Sequence, residues 1–131
     1  MTPRVQVQEL MTTSLVLARP EMGVHQAAGL LLDHHISGLP VVDATGALVG
    51  IVTEQDCLRF AFQNDYYQGP GRTVAEAMTK APETLDAEAD VMTAIDLFLK
   101  RPYRQFPVVR AGALVGILSR RDALALIKRQ A

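Results

Sequence analysis

A single cysteine, Cys57, leaves this chain unable to close an internal disulfide and without the thiolate cluster of a structural zinc site. A lone thiol suits a reducing compartment, so a cytoplasmic location is expected. No apolar run approaches the roughly 20 residues that a membrane helix needs, and the start MTPRVQVQELM lacks the apolar stretch of a secretory signal. Neither membrane insertion nor export is expected. Histidines number three, and none has ligand spacing: His25 and His34 would fall on opposite faces of one helix, while His34 and His35 are adjacent and read as solvated residues at a helix end. No metal is expected. Nor does a nucleophile stand beside a base, since Cys57 follows Asp56 within a predicted helix as an inert thiol, so no enzyme is expected.

Charge of one sign is also lacking: the net charge is −1, and no helix-turn-helix or aromatic RNA-reading motif accompanies it, which disfavours nucleic acid as a partner. The balance hides a gradient. Residues 1–99 carry 5 basic and 13 acidic side chains, whereas residues 100–131 carry 8 basic and 1 acidic. The last quarter of the chain therefore offers a local positive region to an anion.

What the sequence does have is an internal repeat. Val7, Glu9, Met11 and Thr12 recur 67 residues later as Val74, Glu76, Met78 and Thr79, and Pro40-Val41-Val42 recurs as Pro107-Val108-Val109. Ala47-Leu48-Val49-Gly50-Ile51 then returns letter for letter as Ala113-Leu114-Val115-Gly116-Ile117, with Asp56 matching Asp122, now 66 residues on. The lost residue falls where Asp43-Ala44-Thr45-Gly46 shortens to Arg110-Ala111-Gly112, as a surface turn permits.

Each copy reads as helix, strand, strand, helix. Val24, Ala27, Ala28 and Leu31 have the spacing of one buried helical face, as do Val91, Ala94, Ile95 and Phe98, with Gly23 and Asp90 as N-caps. Strands are expected over 39–42, 48–52, 106–109 and 114–118. A closing helix begins near Thr53 with Leu58, Ala61 and Phe62, and near Ser119 with Leu124, Leu126 and Ile127. The copies span 1–62 and 74–131, joined by a linker at 63–73 that contains Gly69-Pro70-Gly71. About 55 residues bury too little surface to be comfortable alone, so the copies are expected to share one core.

The ordered elements, a Glu-x-Met-Thr, a helix, a Pro-Val-Val strand, Leu-Val-Gly-Ile and a Ser/Thr-x-x-Asp, twice over, resemble the cystathionine β-synthase (CBS) domain; the pair resembles a Bateman module. That resemblance implies an α/β fold, here α+β, with two pseudo-symmetric repeats, each a small β-sheet packed on two helices. It further implies a regulatory sensor of an adenine nucleotide (AMP, ADP or ATP) or S-adenosylmethionine, held between the repeats, usually in a homodimer that reports to an effector protein. No cofactor is required for this; the nucleotide is the regulatory ligand.

The family's binding motif is matched by Gly50-Ile51-Val52-Thr53-Glu54-Gln55-Asp56 and by Gly116-Ile117-Leu118-Ser119-Arg120-Arg121-Asp122. A hydroxyl at a helix start lies beside free N–H groups where a phosphate is stabilised, and a carboxylate three residues on can accept the two ribose hydroxyls. Ser/Thr-x-x-Asp is also a capping arrangement, and the two roles are compatible. By resemblance, the backbone around Ser37, Gly38, Leu39 and Pro40, or around Arg104, Gln105, Phe106 and Pro107, would hold the adenine, together with the segments after Thr12 and Thr79. Phe106 is placed either to stack on a base or to fill the core as Leu39 does. Where the first copy has Ser37, Glu54 and Gln55, the second has Arg104, Arg120 and Arg121, a cationic rim suited to a di- or triphosphate, with Arg120-Arg121 reading equally as a solvated helix face. A pure interaction module is the rival reading, with Tyr66 and Tyr67 at an interface.

Overall fold

The computed structural model describes residues 4–63 and 72–129. Along the chain run α1 (Val7–Leu10), α2 (Val24–His34), β1 (Gly38–Val42), β2 (Leu48–Thr53), α3 (Glu54–Gln63), α4 (Val74–Ala77), β3 (Thr79–Lys80), β4 (Leu85–Asp86), α5 (Val91–Lys100), β5 (Gln105–Arg110), β6 (Ala113–Ser119) and α6 (Arg120–Arg129). Most of the expected linker, with Tyr66, Tyr67 and Gly69-Pro70-Gly71, lies outside the described residues. The chain divides into two compact units, Val16–Pro82 and Met1–Leu15 with Glu83–Ala131. These are offset from the sequence copies, because the leading segment of each copy is folded into the unit that carries the other copy's strands.

In the Val16–Pro82 unit, β1, β2 and β3 form an antiparallel sheet in that order, and Ala18 adds a parallel bridge to Val41 on the outer side of β1. All five residues of β1 are buried, which suits a run of Leu39, Val41 and Val42 with helices over it. α2 turns Ala27 and Leu31 into this core as its spacing predicts, with Val24 and Ala28 partly buried beside them. The helix ends at His34, and His35 follows in the left-handed region at φ 53°, both exposed.

The other unit repeats the plan. β4, β5 and β6 form its sheet, β4 parallel and β6 antiparallel to β5, and Thr12 bridges the free side of β6. α5 buries Val91, Ala94 and Phe98, and the Asp90 carboxylate accepts from Met92 N–H at 2.9 Å, the expected N-cap. The shortened turn resolves simply: Ala111 and Gly112 both take positive φ, 51° and 82°, as a two-residue type I′ hairpin requires. In the longer turn the Asp43 carboxylate instead organises the loop, accepting from Thr45 N–H at 2.9 Å and Ala47 N–H at 3.1 Å.

The offset leading segments are stitched in by matching bonds. Val7 N–H donates to Ala89 O at 2.8 Å and Gln8 N–H to Ala87 O at 2.9 Å; 67 residues on, Val74 N–H donates to Met22 O at 2.7 Å and Ala75 N–H to Pro20 O at 2.9 Å. Helices of four residues have no independent stability, so α1 and α4 exist because Val7 and Val74, both fully buried, anchor them and because Glu9 and Glu76 close capping boxes.

α3 and α6 begin where expected and carry their large apolar residues outward. Leu58 is 72% exposed, Phe62 90%, Leu124 58% and Ile127 64%, while Cys57 and Ala123 face the cores and Leu126 is only partly buried. Each helix starts directly after the last residue of a strand, and the carboxylate of Asp56 or Asp122 bonds back across the junction. That bond ties the first turn of the helix to the strand end, and the apolar ridge lies outside.

Candidate functional site

The strand–helix junctions are built alike. At the first, Thr53 N–H donates to Asp56 Oδ2 at 3.0 Å and Asp56 N–H to Thr53 Oγ1 at 3.1 Å. At the second, Ser119 N–H donates to Asp122 Oδ2 at 2.9 Å and Asp122 N–H to Ser119 Oγ at 3.0 Å. This is the reciprocal capping box that the spacing allowed, and it holds a hydroxyl and a carboxylate together at the positive end of a ten-residue helix.

Each junction also receives a threonine from the other sequence copy. The Thr79 hydroxyl donates to Asp56 at 3.3 and 3.5 Å, and the Thr12 hydroxyl to Asp122 at 3.4 Å to either oxygen. Thr12 is locked to β6 through Thr12 N–H to Ile117 O at 2.8 Å and Ile117 N–H to Thr12 O at 3.0 Å, and Thr79 pairs with Ile51 at the matching position. The glycine of the motif makes room for this crossing. A Cβ on Gly50 would lie 2.6 Å from Met78 Sδ and 2.9 Å from Thr79 O; on Gly116 it would lie 2.6 Å from Met11 Sδ and 3.0 Å from Thr12 O. The motif thus encodes a hydroxyl, a carboxylate and a seat for the incoming Met-Thr.

The remaining expected site residues line the same junctions. Gly38 pairs with Thr53, Leu39 with Val52 and Pro40 with Ile51; Gln105 pairs with Ser119, Phe106 with Leu118 and Pro107 with Ile117. Backbone bonds tie Ser37 O to Glu54 N–H and Arg104 O to Arg120 N–H, both at 3.0 Å. The residues of each expected rim are therefore neighbours, with Ser37 and Glu54 at one junction and Arg104 and Arg120 at the other. Gln55 and Arg121 are exposed on the first turns of their helices. Leu39, Pro40, Phe106 and Pro107 are all less than 2% exposed, so only their backbone is on offer. Stacking of Phe106 on a base is accordingly corrected: its ring packs at 4.9 Å from Phe98 and 5.8 Å from Tyr103, because an aromatic on the inner face of β5 fills the core.

Tyr103 and Arg59 escaped the sequence reading, and Gln105, which it named, carries an unforeseen feature. Tyr103, 46% exposed, takes the Arg120 Nε–H on its carbonyl at 3.1 Å; the basic rim around it was the signal. Gln105 Nε2 is buried and has no hydrogen-bond partner. Arg59 forms an ion pair with Asp56 at 3.1 Å, a contact that the i, i+3 spacing on α3 announces. Asp56 is the only buried charged residue among those described, at 5% exposure. Burial pushes the neighbouring Cys57 thiol up, with the negative charge of Asp56 adding to the effect. No group of three or more metal-ligating side chains occurs among the described residues, and no described helix is long and apolar enough to cross a membrane.

Two strand–helix junctions, each completed by a Met-Thr from the other copy, make a paired α/β domain architecture that known proteins share. The family model of the CBS domain matches residues 7–62 and 74–129; the chain belongs to the CBS domain family and carries two such domains in tandem. It is similar to CBSX2 of Arabidopsis thaliana, a CBS-pair protein, with a TM-score of 0.86 and 31% identity over 98% of this chain and 100% of that one. The crystal structure of CBSX2 in complex with AMP gives 0.86 and 32% over 96% and 98%. The CBS domain pair of protein MJ0100, in complex with 5′-methylthioadenosine and S-adenosyl-L-methionine, matches with a TM-score of 0.85 and 28% identity over 98% and 100%. Among curated sequences, inosine-5′-monophosphate dehydrogenase of Mycobacterium tuberculosis is 38% identical over 86% of this chain, which spans only 20% of the dehydrogenase.

Proposed function

We propose that this chain is a non-catalytic regulatory module that binds an adenine nucleotide of the AMP, ADP or ATP type and passes the signal on by a change in packing or assembly. The observation that carries this reading is the meeting, at each junction, of a helix-start hydroxyl, an aspartate and the threonine of a crossing Met-Thr. The AMP complex of CBSX2, a protein of the same pair architecture, supports it. The sugar hydroxyls would be read by the aspartate, and the phosphate by the first turn of the helix and its hydroxyl. At the Ser119–Asp122 junction, Arg104, Arg120 and Arg121 add positive charge where a second and third phosphate would extend. That charge favours a polyphosphate over the sulfonium of S-adenosylmethionine, the second reading, which the MJ0100 complex supports.

Transmission requires a partner surface. The exposed Leu58 and Phe62 on α3, and Leu124 and Ile127 on α6, are apolar ridges suited to a homodimer or to an effector protein. A reducing, cytoplasmic compartment fits the buried, free Cys57.

A thermal-shift panel of AMP, ADP, ATP, adenosine and S-adenosylmethionine tests the proposal. Ligand at 100 times its Kd adds about 2.7 kcal/mol, which raises Tm by several degrees in a domain of this size. Arg120→Glu should weaken ATP at least tenfold and leave adenosine nearly unchanged; equal losses remove the phosphate argument. If no adenine compound moves Tm at millimolar concentration, the interaction-module reading stands instead.

A further inference from the structure

The two junctions have the same backbone plan but differ at one position that bears on ribose recognition. On α3, three residues after Asp56, stands Arg59; the corresponding residue of α6, three after Asp122, is Ala125. Arg59 NH1 donates to Asp56 Oδ1 at 3.1 Å, and the aspartate side chain is 6% exposed under it. Asp56 Oδ2 already accepts from Thr53 N–H at 3.0 Å, and the Thr79 hydroxyl reaches both oxygens. A carboxylate has about four acceptor positions. Three are filled, one of them by an ion pair, and the side chain has almost no surface left toward solvent.

Asp122 is half-buried, holds the same box to Ser119, and meets Thr12 at 3.4 Å much as Asp56 meets Thr79. Among the described residues no ion pair reaches it. Its Oδ1 accepts only the long Thr12 bond among the described contacts, which leaves acceptor positions for the hydroxyls of a sugar. To bind at Asp56, the same sugar must first displace a guanidinium, exchanging an ion pair for bonds from uncharged hydroxyls.

From this difference we infer that Arg59 is a latch that keeps the Thr53–Asp56 site closed to ribose, so that the chain takes a single nucleotide, at the Ser119–Asp122 site. The inference rests on the nucleotide reading above. The Arg59 side chain is 50% exposed, so it can leave without unpacking the core. The closed site is therefore a held reserve, intact in every backbone feature.

Isothermal titration with AMP tests the latch. The wild-type chain should bind one equivalent, Arg59→Leu two, and Asp122→Asn none. The double variant Arg59→Leu with Asp122→Asn should bind one, now at Asp56. Arg59→Gln repeats the test with a polar neutral side chain and should match Arg59→Leu, which separates loss of the ion pair from any folding defect of the leucine variant. Two equivalents in the wild type, or one in the wild type and still one in both Arg59 variants, overturns the latch while the nucleotide reading survives. No binding by any of these proteins overturns both.

Discussion

A Cβ at Gly116 has nowhere to go, because one of the atoms it would meet, Thr12 O, is backbone held by a bridge to Ile117. The Met11 thioether can swing aside, but the carbonyl cannot move without stretching that bridge. Gly116→Ala should therefore cost about 1–3 kcal/mol, the usual penalty of overpacking. Urea denaturation measures it, and an unchanged midpoint would show that the crossing is loose. Gly29→Ala on α2 is the control, because a Cβ there meets nothing within 4 Å and the change should be neutral or stabilising. The motif glycines were legible in the sequence as repeated letters. Their reason was not, since it lies in a Met-Thr more than 100 residues from Gly116 along the chain. The hydroxyl and carboxylate were legible in role and place because their bond is local, three residues apart.

At the scale of elements, the helices with a strong inward stripe, α2 and α5, fell where periodicity placed them. α3 and α6 begin at the expected hydroxyls, but which face they turn inward was not read from the sequence. α1 and α4 were missed as helices, since four residues carry no period. The α4 start gives a pH test of this kind of element. Glu76 is held below its ordinary value of 4.5, first by the Thr73 backbone N–H and further by Arg72 and the Thr73 hydroxyl. A depressed carboxylate contributes stability that is fully present above its unfolded value and is lost as pH falls through the folded one. The wild-type protein should therefore lose stability below about pH 4.5 more steeply than Glu76→Gln, as thermal melts at about pH 6 and about pH 3.5 would record. Parallel curves would mean that the box contributes nothing in solution.

On the scale of the whole molecule, sequence copy and folded body are different partitions of one chain. The copies match residues 7–62 and 74–129, but the compact units are Val16–Pro82 and Met1–Leu15 with Glu83–Ala131. Repetition of letters revealed the copies; only long-range bonds such as Val7 N–H to Ala89 O reveal the units. A peptide of residues 16–82 should fold cooperatively by circular dichroism in urea. Residues 1–62 alone should not, because the pocket for Val74 is vacant and Val7 is left without its own. A sharp transition for 1–62 would show that the copy is self-sufficient.

The offset leading segments have an evolutionary consequence. A half-length ancestor with one copy could complete its fold only by trading its first turn with a sibling, which makes such an ancestor an obligate pair of identical chains with two identical pockets. Joined end to end, the two halves need not be identical, and an arginine stands three residues after one aspartate where an alanine stands after the other.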